Sequence, residues 1–197
     1  EYLAAVDRLL AIYQGRQEMD KAGLIEQSQE AFNPIRTYSY FLSAEVPGPD
    51  LRAVEMNPGA NGLYEEAMEL YSESRKLLAP LRAESEKKRL DALKAFLSLV
   101  HTYPSSNKIG SSAFYIAEIY RSFDEDYRAA AWYDRAWQWD ADVPEPVRHR
   151  AASLYDYKLG NTDKALEYYE LAIQHEPGFR QYMDKARRRV KEIRAAR

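Results

Sequence analysis

Apolar residues recur every three to four positions through most of the chain. From Leu63 the series runs Leu63, Ala67, Leu70, Tyr71, Leu77 and Leu78, then Leu90, Leu93, Phe96, Leu97 and Val100. That spacing predicts amphipathic helices, and the two-residue alternation of strands is absent. Residues 1–13 give another helix through Tyr2, Val6, Leu9, Leu10 and Tyr13, and residues 20–44 a further one that Asn33-Pro34 should kink or split. Proline and glycine divide the rest. The stretch 46–62 holds Pro47, Gly48, Pro49, Pro58, Gly59 and Gly62 and reads as the main linker or long loop. Pro104 ends one helix, residues 140–146 separate two more, and Pro146 suits the first turn of the next. Gly160 followed by Asn161 reads as a left-handed C-cap and then an N-cap. The pattern predicts about nine or ten helices and an all-α fold.

A fixed period underlies these helices. Ala92, Ala129 and Ala165 stand 37 and 36 residues apart, followed after four by Phe96, Tyr133 and Tyr169 and after seven by Leu99, Ala136 and Ala172. Twelve residues on come Pro104, Ala141 and Pro177. A small residue lets two antiparallel helices approach, an aromatic four positions later fills the next space on the same face, and a second small residue admits the neighbouring pair. Such a hairpin cannot bury its apolar face alone, so the core comes from stacking.

These columns resemble the tetratricopeptide repeat family. The residues that carry the likeness are Ala117, Tyr120, Ala129, Tyr133 and Ala136 in one unit, and Gly160, Ala165, Tyr169, Ala172 and Pro177 in the next. The first-helix columns depart from the pattern, holding Ser153 and Asp156 in the last unit and Pro80 and Ala83 in the first. Residues 63–79 look like another second helix whose partner has diverged. The resemblance implies a right-handed α-solenoid of helical hairpins over residues 63–177, clearest at 110–141 and 146–177. A divergent N-terminal helical region with its linker (1–62) would precede it, and a capping helix (178–197) would follow. The extra residues beyond the family's usual period fall at 105–110 and 142–144. The segment from Ala92 to Tyr120 is similar to bacterial cell-envelope members, of the BamD outer-membrane assembly type and the CpoB Tol–Pal coordinator type. This implies a periplasmic or outer-membrane-associated scaffold, with a cytoplasmic location as the alternative. A start at Glu1 inside a helical pattern is the trace that a removed signal peptide or lipid anchor would leave, and truncation would leave the same one.

Composition narrows the chemistry. The 197 residues contain no cysteine, which excludes disulfides, thiolate metal sites and a cysteine nucleophile. The net charge of −3 gives no global reason to bind nucleic acid. No apolar run approaches the ~20 residues of a membrane helix. The total conceals an asymmetry: residues 178–197 hold eight cations against Asp184 and Glu192, a net +6, which leaves −9 on residues 1–177.

The resemblance also implies a groove along the first helices that binds an extended segment or helix of a partner protein. Its positions here are Ser111, Phe114, Tyr115, Glu118 and Arg121 from one unit, and Val147, Arg150, Leu154, Tyr157 and Lys158 from the next. Aromatic rings among arginines are the composition that concentrates interface energy. The lysine and asparagine clamp with which some family members grip a C-terminal carboxylate is not matched. On the last helix Arg187, Arg188, Lys191 and Arg194 form a face suited to an acidic partner or lipid headgroups, or simply to solvent beside a helix C-terminus. His101, His149 and His175 lack metal-ligand spacing, Gly59-Ala-Asn-Gly62 lacks the lysine of a phosphate loop, and Glu65, Glu66, Glu69 and Glu73 read as a solvated face. Trp132 and Trp139 should pack or cover an interface, and Trp137, after the small Ala136, should be exposed as a contact surface. No catalytic residue, cofactor or metal is expected. The reading is a non-enzymatic scaffold. Self-association through the tryptophan-rich helix or residues 1–62, and a small-molecule pocket beside residues 1–62, are the alternatives, and the oligomeric state is open.

Overall fold

A computed structural model of the chain describes residues 46–77 and 79–196; the helices expected over 1–13 and 20–44 lie outside them. The described elements are α1 (Pro58–Lys76), a 3-10 turn (Ala79–Leu81), α2 (Arg82–Thr102), α3 (Ile109–Ser122), α4 (Asp126–Trp139), α5 (Val147–Tyr157), α6 (Thr162–His175) and α7 (Arg180–Ala195). The described residues form no strand, only an isolated bridge between Glu55 and Ser106. The fold is all-α. No described helix is long and apolar enough to cross a membrane.

Short turns fold the helices back in pairs, α1 on α2, α3 on α4 and α5 on α6. Each pair packs less extensively on the next, and α7 rests on α6 and touches α5. The repeat columns are where these contacts are made. Ala92, Ala129 and Ala165, their aromatic partners Phe96, Tyr133 and Tyr169, and Leu99, Ala136 and Ala172 are all at most 2% exposed. Pro104, Ala141 and Pro177 are turn residues, each two positions beyond the last residue of α2, α4 or α6.

The first pair is longer. α2 starts ten residues before Ala92, whereas α4 and α6 start three before Ala129 and Ala165. The seven added residues make about two more turns. Counting back from Ala92 by a fixed offset therefore lands on Pro80, in the 3-10 turn, and on Ala83, at the start of α2. The opening helix of this pair is α1, which presents Ala60, Ala67 and Ser74 as a buried stripe at a spacing of seven. Residues 63–79 are thus not an orphaned second helix, because α1 pairs with α2.

The helix ends follow local chemistry. Asn57 accepts from the N–H groups of Gly59 and Ala60 at 2.9 and 3.2 Å with Pro58 as the first helical residue, so α1 begins inside the expected linker. Gly160 has φ +65° and Asn161 accepts from Lys164 N–H at 3.0 Å, the cap pair read from sequence. Thirty-six residues earlier Asp124 holds the same left-handed conformation with φ 59°, which a non-glycine residue rarely adopts. Pro146 precedes α5 and lends its carbonyl to Arg150 N–H at 3.0 Å. Gly110 is required by close approach: a Cβ there would lie 2.5 Å from that of Asp140 at the end of α4.

Residues 46–57 form a strap rather than a free linker. Trp139 Nε1 donates to Gly48 O at 2.9 Å, Arg135 Nε to Pro47 O at 2.6 Å, and Ala53 N–H to Trp139 O at 3.0 Å. Further along, Val54 and Glu55 N–H donate to Ser105 O, and Asn107 N–H donates to Glu55 O. Trp132 and Trp139 are buried edge to face, 6.0 Å apart. Trp137 is half-buried, with the Arg148 guanidinium 5.3 Å from its ring centre, so no indole of this helix is exposed.

Candidate binding groove

Two chambers open beside the first helices of the pairs. The first, about 390 Å³, lies among α1, α2 and α3, with Tyr71, Arg75, Arg89, Glu118, Arg121 and Arg150 on its walls. The second, about 500 Å³, lies among α5, α6 and α7 and is lined by His149, Arg150, Tyr157, Tyr182, Lys185 and Arg188, with Ser153, Tyr169, Arg189 and Glu192. Arg150 belongs to both.

Glu118 organises the first chamber. Its carboxylate is 8% exposed and accepts from Tyr133 Oη and, at 3.0 Å, from Arg121 Nη2, while Arg150 Nε stands 3.4 Å away. A buried carboxylate needs such partners because its desolvation is otherwise uncompensated. Four guanidinium groups stand on this lining beside one carboxylate, and of the four Arg121 and Arg150 pair with it. Arg75 leans on Tyr71 at 5.9 Å, and Arg89 donates to Ser85 Oγ at 3.1 Å beside the Phe123 ring. Neither Arg75 nor Arg89 has an ion pair among the described residues.

The groove residues expected from sequence divide by burial. Arg121, Glu118, Arg150 and Tyr157 line the chambers, and Tyr157 is 69% exposed with Arg189 over its ring at 5.7 Å. Phe114 and Leu154 do not face the groove; at 6% and 2% exposure they are core residues. Helical spacing marks an apolar face, and here neighbouring helices cover it. Val147 is likewise buried. Tyr115 stacks on Phe96 at 5.6 Å and meets Tyr71 edge-on at 5.3 Å, so it backs the aromatic wall of α1. Burial, with Glu145 as the next cause, pushes its hydroxyl up to about 12. Lys158 pairs with Asp124 at 3.1 Å on the exposed turn and lines neither chamber. The sequence pattern did not single out Tyr71 and Arg75, because α1 had no assigned role as a first helix, nor Arg89, which lies on α2. Tyr182 and Lys185, on the chamber side of a helix read only for its outer face, were not singled out either.

On α7, Arg187 pairs with Asp184 at 3.4 Å and Arg194 with Glu170 at 2.8 Å. Arg188 and Lys191 are exposed and without an ion pair among the described residues. His101 and His175 are exposed and His149 is buried, and among the described residues no group of three or more His, Asp or Glu is placed to hold a metal ion.

Glu145, in the α4–α5 turn, accepts from Ser111 Oγ at 3.0 Å, and burial pushes its carboxyl up to about 7, with Asp140 adding and Lys108 opposing. A carboxyl pKa raised on folding means the native state holds this proton more tightly. Its contribution is complete below about pH 4.5 and is lost as pH rises through 7, above which the buried charge is a standing cost. Glu145→Gln keeps the acceptor for Ser111 and removes the charge. It should add about 1–3 kcal/mol to stability at pH 8 and almost nothing at pH 4. Urea unfolding at the two pH values checks this; a larger gain at pH 4 than at pH 8 refutes it.

No protein-family model matches this sequence, and no curated protein matches it.

Proposed function

We propose that the chain is a non-enzymatic scaffold of the tetratricopeptide type, a right-handed α-solenoid that carries an extended segment or helix of a partner protein along the face formed by α1, α3, α5 and α7. The observation behind this reading is the line of tyrosines and arginines from Tyr71 and Arg75 through Arg121 and Arg150 to Tyr157 and Tyr182, all on the two chamber walls. Aromatic and guanidinium groups supply most hot-spot energy at interfaces. The buried repeat columns and the packing of successive pairs support the solenoid. The likeness of residues 92–120 to envelope members supports a periplasmic or outer-membrane-associated assembly of a bacterium, with the cytoplasm as the alternative.

Photo-crosslinking in the producing cells tests the reading. A benzophenone amino acid at Arg75 or Tyr157 should yield a discrete adduct with another protein, and the same group at exposed Tyr127 on α4 should not. Adducts from Tyr127 alone would reject the groove as the working face. Fractionation of the same cells should recover the chain with the envelope; recovery in the cytosol overturns that placement.

A further inference from the structure

The chamber among α5, α6 and α7 holds more cationic charge than the fold uses. Arg189 is committed, donating to both carboxylate oxygens of Asp156 at 2.7 and 2.9 Å and to Glu192 at 3.1 Å. Arg150 shares Glu118 with Arg121 and lies 5.7 Å from the Tyr182 ring centre. Lys185 and Arg188 line the same chamber, are exposed, and have no ion pair among the described residues. Two positive charges on one wall are therefore uncompensated.

A second observation lies deeper in the same wall. His149 is 6% exposed, flanked by Tyr182 at 4.8 Å and Tyr169 at 5.7 Å, and its Nδ1 is buried with no hydrogen-bond partner among the described residues. Burial, then Arg150 and Lys185, lower its pKa to about 4, so the ring is neutral at physiological pH and can donate or accept one hydrogen bond. A buried polar atom left unpaired costs free energy that a bound group can recover.

Geometry selects the ligand. Lys185 and Arg188 are three residues apart on α7, so their Cβ atoms are about 5–6 Å apart. In an extended peptide, residues i and i+2 point to the same side about 6.6 Å apart. Two carboxylates at alternate positions match the two cations, and the intervening residue points away from the α7 wall, toward the side where Tyr157 stands on α5. Arginine and lysine side chains also hold phosphate, so a phosphorylated segment is the competing ligand that the test must separate. The net −6 on residues 46–177 repels an acidic chain elsewhere on the described part and favours its approach at this end.

We propose that this chamber anchors an acidic stretch of the partner, an extended segment with carboxylates at alternate positions held by Lys185 and Arg188. The proposal rests on the reading that the groove carries a partner segment, and it names that segment's chemistry.

The test uses fluorescein-labelled decapeptides, one with a Glu-Tyr-Glu-Tyr-Glu core, one with Gln at each Glu, and one with the same spacing carried by phosphoserine. Anisotropy is read against the full chain and two double variants. Lys185→Gln with Arg188→Gln should weaken the Glu peptide at least tenfold. Arg187→Gln with Lys191→Gln, the same charge change off the chamber wall, should weaken it less than threefold. The Gln peptide should bind the native chain at least tenfold more weakly than the Glu peptide, and raising salt from 50 to 200 mM should narrow that gap. Equal loss in both double variants would reduce the effect to net charge and overturn the anchor. Equal binding of Glu and Gln peptides would also overturn it while leaving the groove intact, since groove use is decided by the crosslinks. Tighter binding of the phosphoserine peptide, lost with Lys185 and Arg188, would assign the chamber to phosphate instead. Absence of Glu-peptide binding at millimolar concentration rejects the proposal outright.

Discussion

Tyr133→Ala is expected to cost about 4 kcal/mol of stability, on the scale of other buried aromatic truncations. Tyr133 is fully buried between α3 and α4, and its ring lies 5.9 Å from that of Phe114. Truncation opens a cavity in the repeat column and also removes the hydroxyl that donates to Glu118. That carboxylate then keeps only Arg121 and Arg150. Tyr133→Phe separates the two contributions: the cavity is avoided, and the lost hydrogen bond to a buried carboxylate should cost about 1–3 kcal/mol. A domain with 5–15 kcal/mol in hand would survive the second change and come close to unfolding with the first. Urea denaturation gives both numbers. A loss below about 1 kcal/mol for Tyr133→Ala would mean that this column does not carry the packing between α3 and α4.

Glu176→Ala should be of similar size for a different reason. The Glu176 carboxylate, 3% exposed, accepts from Arg148 N–H at 2.6 Å and His149 N–H at 3.2 Å, and the Arg148 guanidinium stands 3.7 Å away, itself 6% exposed. A residue just past the end of α6 thereby caps the start of α5, where unpaired N–H groups favour an anion. Burial raises the carboxyl of Glu176, and the two N–H donors and Arg148 oppose that shift. Removing the side chain orphans both donors and leaves the guanidinium buried without its counter-charge, a combination that costs about 3–5 kcal/mol. Glu176→Gln retains one acceptor and should fall between. Because the last unit also forms the second chamber, a destabilised Glu176→Ala chain should lose its groove crosslinks at Tyr157 before those at Arg75.

The parts of this structure that were legible in the sequence are those set by spacing within one helix or between successive units. The columns at Ala92, Ala129 and Ala165, the turns after Thr102, Trp139 and His175, and the cap at Gly160-Asn161 all follow from local periodicity and backbone preference. What escaped depends on length or distance. Two extra turns in the first pair displaced its register, so α1 was assigned to the wrong half of a hairpin. Asp124 takes a glycine's conformation without a glycine to announce it. The strap is held by carbonyls of Pro47 and Gly48 reaching residues 88 and 91 positions away, and no local pattern encodes that. Glu118, Arg121, Arg150 and Tyr157 lie on the chamber linings, as polar or amphipathic residues on a helix with few other places to go. Phe114 and Leu154 were misplaced because periodicity identifies an apolar face and not the helix that covers it.

The central claim is that the working surface is the face of α1, α3, α5 and α7. Amide hydrogen exchange on the chain with and without its crosslink-identified partner measures this most directly. The account predicts slowed exchange in Ser72–Leu77, Glu118–Ser122 and Arg150–Tyr157, with α4 and α6 unchanged beyond the turn residues. Protection confined to α2, α4 and α6, with those three segments unchanged, would contradict it.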